Sequence, residues 1–237
     1  MMLSSLLRSE WVKIKGKGLW LLSMLGPIGV VGLTMVNYGV RKDYLLAQSD
    51  DDWAYYLDGI LPLTAMALVL GIAILTSLLA SIEGHTNAWK LWLALPVRRS
   101  TVYMSKYIIA TALLLSSSIV LTLGTVIYGM TLGLGDDIPW LSILQYGFYP
   151  WLSAQAIISL HLWSAVVSSN QGFTVSLGVI GVMISFISPY VPDWVIWKWP
   201  FLIIEGSSSW SSIAVAAGIS ALLLLVGLLH FSRKDVA

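Results

Sequence analysis

Long apolar runs alternate with short polar segments along the whole chain, and that alternation predicts the elements. Runs of about 16 to 25 apolar residues, near the roughly 20 that a helix needs to cross a bilayer, fall at about residues 19–38, 60–82, 107–130, 143–167, 173–188 and 213–231. Residues 1–17 form a polar, basic lead with Arg8, Lys13, Lys15 and Lys17, read as an interfacial helix with Trp11 and Trp20 at the headgroup boundary. No small-residue cleavage site follows the lead, so the first run is expected to be retained rather than removed as a signal peptide. Residues 41–58 read as a polar loop, and residues 133–140 as a short one. Only residues 168–172 separate the fourth and fifth runs, which predicts a tight antiparallel hairpin.

Between the second and third runs lies a polar and basic interruption, Ser81 to Lys106. On a helix at 100° per residue, His85, Trp89, Trp92 and Leu93 share one side, and Glu83, Thr86, Asn87, Lys90 and Ala94 the other. This pattern predicts a short amphipathic helix lying on the membrane surface. Pro96 stops it, Ser100 or Thr101 caps the next helix, and Arg98, Arg99 and Lys106 form a basic cluster where that helix enters the bilayer. The segment is read as the place where another protein applies force.

Within the first run, Pro27 is expected to bend the helix near Ser23. Gly26, Gly29 and Gly32 share one face, which suits close approach of another helix, with a mobile hinge as the alternative. Residues 189–210 are rich in aromatics and proline, too broken to span and too apolar for a free loop; a re-entrant or interfacial element is expected there.

Composition narrows the class. With 57% hydrophobic residues, 11% charged and a mean hydropathy of +0.83, the chain is an integral membrane protein. The absence of cysteine excludes a disulfide framework, an Fe–S site and a cysteine nucleophile, and fits a bacterial membrane protein. The net charge of +1 hides a separation of signs. Ten of the thirteen Lys and Arg fall on the side of both termini, and nine of the twelve acids on the other, which predicts cytoplasmic termini and six spans. The tryptophans Trp53, Trp140, Trp151, Trp194, Trp197, Trp199 and Trp210 fall near the outer boundary, as an aromatic belt or as a surface that grips an amphipathic ligand.

Little catalytic chemistry is legible. There is no G-x-x-x-x-G-K-[ST] phosphate loop, H-E-x-x-H, G-x-S-x-G or paired intramembrane carboxylate, which argues against a protease or a phosphoryl-transfer enzyme. The aspartates Asp50 to Asp52 lack the spaced ligands of a calcium loop and read as a solvated face, and Glu83 with His85 at i, i+2 is no metal pair. His161 is an intramembrane ionisable residue and therefore a candidate for proton or substrate handling, against the plainer role of a bond to a neighbouring helix. Ser117 belongs to a set of small hydroxyls that either bond within their helix or line a path. Together with Gln155, Trp197 and Trp199, these two make up the candidate substrate path. No acid relay or inverted repeat suggests a self-powered carrier, so the energy is expected from outside the chain.

The order of these features resembles the ABC-2-type permeases of bacterial ATP-driven exporters: the lead E-x-x-K-x-K (Glu10, Lys13, Lys15), a span, an acidic loop, a second span, then Glu83 through the amphipathic stretch to L-P-V-R-R (Leu95 to Arg99) and Lys106. Within that family, Trp20, Gly26-Pro27 and the W-K-W-P of Trp197 to Pro200 are similar to permease subunits of lantibiotic-immunity and bacitracin-resistance transporters. The resemblance implies one permease domain over residues 1–237, all-α with six transmembrane helices, and a coupling helix at Trp89 to Pro96 seated in an ATPase subunit. Glu83, Asn87, Trp89, Lys90, Trp92, Arg98 and Arg99 would be its contacts. It further implies a second permease subunit, identical or paralogous, and ATP and Mg used only by the partner. The cargo would be a membrane-inserted peptide or another lipophilic compound. An ATPase-independent channel or secondary carrier is the competing expectation, with a membrane-embedded enzyme or assembly factor behind it.

Overall fold

In the computed structural model, residues 2–85, 99–135, 137–168, 170–201 and 209–233 are described. Within them the architecture is helical and contains no strand. The helices are α1 (Met2–Lys15), α2 (Leu19–Leu46), α3 (Asp52–His85), α4 (Arg99–Leu132), α5 (Trp140–Ser153), α6 (Gln155–Val167), α7 (Gln171–Phe186) and α8 (Ser209–Arg233), with 3-10 turns η1 (Ser188–Tyr190) and η2 (Ile196–Phe201) between α7 and α8. Five stretches are long and apolar enough to cross a membrane: α2, α3, α4, the α5–α6 run and α8. The fifth predicted span is α7, whose apolar part, Gly172–Phe186, is shorter. Its 16 residues extend about 24 Å at 1.5 Å per residue, against about 30 Å of hydrocarbon.

The helices run well past the apolar stretches, so the expected loop at residues 41–58 shrinks to residues 47–51 between α2 and α3. The reason is local. Asp51 Oδ1 accepts from the Ala54 N–H at 2.9 Å, and Asp52 stands in the first turn of α3, so the acidic run caps a helix whose exposed amides and dipole favour negative charge. The kink in α2 sits at Arg41 (φ −130°, ψ 25°), not beside Pro27. Pro27 is buried on one face of a stretch that holds helical dihedrals, whereas Arg41 is exposed where the apolar pattern ends. The α5–α6 run is interrupted at Ala154 (φ −78°, ψ −2°), whose N–H still donates to the Pro150 carbonyl at 3.0 Å.

Close helix approach occurs at glycines other than those expected. A Cβ at Gly26 would only touch Ala67 at 4.0 Å, and Gly29 and Gly32 have nothing within 4 Å. Instead α7 crosses α3 at Gly178, where a Cβ would collide with that of Ala73, and η2 lays the Trp197 indole over Gly181. The α6–α7 hairpin forms, with Ser164 beside Thr174 at 3.5 Å, and Asn170 caps α7 by accepting from Gly172 N at 2.9 Å. The main core, Ile14, Leu19, Val69, Ile72, Leu75, Leu79, Ile109, Leu113 and Ile158 among others, joins α1, α2, α3, α4 and α6.

The expected aromatic belt is divided. Trp140, Trp194 and Trp210 are exposed, while Trp53 and Trp199 are buried and Trp151 packs against the core. The buried rings fill space that small residues leave: Trp53 sits against Gly129 of α4, and Trp199 clusters with Ala156 and Ala216. Residues 189–201 fold back onto α5 and α7 at the end of the bundle away from the termini. Trp199 Nε1 donates to the Asp193 carbonyl at 2.7 Å, and buried Lys198 pairs with Asp193 at 2.7 Å and donates to the Val191 carbonyl at 2.9 Å.

Candidate functional site

Residues 86–98, which carry Asn87, Trp89, Lys90, Trp92 and Arg98, lie outside the described residues, as does the Glu83 side chain. The two helices that bear this connection are described, and their roots are tied in a specific way. The amphipathic α1 turns into α2 through Gly18, whose φ of 70° suits glycine, and presents Leu6, Glu10 and Ile14 to the bundle. Glu10 Oε2 accepts from Lys106 Nζ at 3.3 Å, and Glu10 Oε1 from Lys13 Nζ at 2.6 Å. Lys106 Nζ also donates to the Leu79 carbonyl of α3 at 3.3 Å. One ammonium therefore joins α1, α3 and α4 just inside the connection.

Lys106 is thus not part of an exposed basic cluster: it is 1% exposed, and Glu10 is 2% exposed. A buried ammonium keeps its charge only when paired and hydrogen-bonded, and this one has both a carboxylate and a carbonyl. Burial, the largest single influence on Glu10, pushes its carboxyl up, but the charges and hydrogen bonds of Lys106 and Lys13 together outweigh it and leave the pKa below its usual 4.5. Arg99, the first residue of α4, donates through Nη1 to the Ser232 carbonyl near the end of α8 at 3.3 Å. One turn on, the buried Tyr103 ring presses on Gly227 of α8 and faces Phe231 with centroids 6.1 Å apart. The root of α4 is therefore held by α1, α3 and α8 together.

The candidate path residues do not form one channel. Gln155 and Ser159, one turn apart on α6, belong to a polar seam: Tyr107 donates to Gln155 Oε1 at 2.8 Å, Ser159 and Ser220 hydroxyls meet at 2.8 Å, and Ser220 donates to the Gln155 carbonyl at 3.2 Å. This seam joins α4, α6 and α8. His161 turns the other way, to α7 and η2. It is fully buried, its ring is edge-on to Trp197 with centroids 6.5 Å apart, and among the described residues neither ring nitrogen nor Trp197 Nε1 has a hydrogen-bond partner. Ser117 lines a narrow cleft of about 40 Å³ between α2, α3 and α4 that includes Ser23, Gly26 and Thr64. Trp199 is locked in its own turn. The hydroxyls at Ser116 and Thr122 take the bland role, donating to the Leu113 and Ser118 carbonyls.

Sequence reasoning did not single out Tyr107, Ser159 or Ser220, nor the pairing of Glu10 with Lys106. The spacing of Gln155 and Ser159, i to i+4, was the available signal for a polar face on α6. Among the described residues no group of three or more His, Asp or Glu could hold a metal ion.

The family described as ABC-2 family transporter protein matches residues 6–188, from within α1 to the first residue of η1. No curated protein matches the sequence.

Proposed function

The chain belongs to the ABC-2 transporter family, a membrane permease component of ABC transporters, and from that premise we propose that it is the permease subunit of an ATP-driven exporter. Its cargo is a membrane-inserted antimicrobial peptide of lantibiotic or bacteriocin type, removed from the membrane for immunity or resistance. Both termini and residues 86–98 face the cytoplasm, as the distribution of Lys and Arg favours. Two permeases, identical or paralogous, combine with two ATPase subunits. Closure of the ATPases draws the Trp89 to Pro96 segments together, and the movement passes to the first, second and fifth predicted spans.

The observation that carries this reading is the Lys106 ammonium bound to Glu10 and to the Leu79 carbonyl at the root of the connection. A force applied between α3 and α4 needs such a joint to move the bundle as a body. The peptide cargo rests on the similarity of Trp20, Gly26-Pro27 and Trp197 to Pro200 to immunity permeases. A self-contained channel has less support, because Ser117, Gln155 and His161 face three different neighbourhoods.

Co-expression with an ABC ATPase encoded beside it, followed by survival against a panel of peptide antibiotics, tests the reading. Protection that needs both subunits supports it; solute transport by the purified chain alone refutes it. Sidedness follows from single cysteines in a chain that has none: Asp51→Cys should label only from outside and Asn87→Cys only from inside.

A further inference from the structure

At the end of the bundle away from the termini, α2 and α3 diverge around a cleft of about 380 Å³, lined by Thr34, Asn37, Tyr38, Tyr55, Asp58 and Leu63 among others. This is near the small end of the roughly 300–1,000 Å³ usual for ligand sites. Asp58 stands six residues into α3, about 9 Å along the helix from Asp52. Its carboxylate accepts from the Tyr146 hydroxyl of α5, and among the described residues it meets no cationic side chain. Arg41 of the facing helix is engaged by another partner: its Nη2 donates to Asn37 Oδ1, at the edge of the cleft, at 2.8 Å. Asp58 is exposed at the mouth of this cleft, and a carboxylate there without a cationic partner is free to take one from a ligand.

We propose that this cleft binds the ammonium end of an amphiphile, a primary amine on an alkyl chain. Asp58 supplies the counter-charge, and the aromatic rings of Tyr38 and Tyr55 supply faces on which a cation is favoured. Leu45 and Leu63 line the cleft and supply the apolar contacts for the chain of the ligand. A metal ion fits the cleft less well than an ammonium, because its single carboxylate gives little charge to a hard cation and its other oxygens are neutral. The ammonium comes either from a soluble amphiphile, a cationic peptide included, or from an aminophospholipid headgroup; the chemistry of the site is the same. The proposal names a ligand class for the permease reading above, but the binding is measured without any ATPase. Failure here leaves the coupling account standing, and failure of coupling leaves this site standing.

The test uses the full chain in an uncharged maltoside detergent and a probe with a 12-carbon chain, a primary amine at one end and a dansyl group at the other. Its N-acetylated form is the neutral control. The wild type is expected to bind the amine at least about tenfold more tightly than the acetylated probe, the size expected for a hydrogen bond to a charged group. Asp58→Asn should abolish that preference while Asp58→Glu, which keeps the carboxylate, should retain most of it. Equal binding of the two probes by the wild type, or an undiminished preference in a monodisperse Asp58→Asn, overturns the proposal. Added phosphatidylethanolamine that displaces the probe assigns the site to lipid, and absence of displacement assigns it to soluble amphiphiles; either supports an ammonium site.

Discussion

The two ends of the helical bundle treat charge in opposite ways. Where the chain termini lie, the acid of α1 and the base of α4 are both buried and paired, and the base also satisfies a carbonyl of α3. At the other end, Asp58 faces an open cleft with, among the described residues, a hydroxyl as its one hydrogen-bond partner, and the neighbouring strap of residues 189–201 keeps its own Lys198–Asp193 pair to itself. A paired buried charge resists separation and suits a joint that passes on force. An unpaired one leaves electrostatic capacity for a ligand. On the reading proposed above, motion belongs to one end and recognition to the other.

The comparison is broken most forcefully at the joint. Lys106→Ala leaves the Glu10 carboxylate buried with Lys13 alone and should cost about 3–5 kcal/mol, read as a lowered thermal midpoint in detergent. Replacing both partners, Glu10→Gln with Lys106→Met, should recover much of that stability. The joint would then be stable but no longer ionic, and its coupled ATP hydrolysis would show whether the charge itself matters. A second prediction concerns packing between the two ends. Gly178→Leu forces a side chain into the space held by Ala73 and should destabilise the protein by about 1–3 kcal/mol.

Acid sharpens the same contrast. Because the folded-state pKa of Glu10 lies below its usual 4.5, its contribution to stability is present above that value and is lost as pH falls through the folded one. Wild type should therefore lose stability below about pH 4.5 more steeply than Glu10→Gln, as followed by thermal unfolding across pH. The smallest expected effect is at the other end, where Asp51→Ala removes the cap of α3 and should cost about 1 kcal/mol by the same measurement.

Much of this molecule was legible in the apolar pattern, because a bilayer forces the backbone to satisfy its own hydrogen bonds and helices are the simplest means. The α6–α7 hairpin followed from a short connection. Helix ends were misjudged where polar residues continue a helix beyond the apolar stretch, as at Asp52 and Arg99, because the pattern marks lipid rather than hydrogen bonding. The close approach at Gly178 rather than Gly29 was beyond the sequence, since nothing in a glycine reveals which neighbour arrives. Lys106 illustrates the same limit: a basic residue at a span boundary reads as surface, and only the fold brings Glu10, 96 residues earlier, against it.

The most direct measurement is of an ATPase subunit co-purified with this chain and of the ATP-driven export the pair performs. Trp89→Ala and Lys90→Glu should each leave the chain inserted and monodisperse while abolishing co-purification or coupled transport. Undiminished export by both variants would contradict the account.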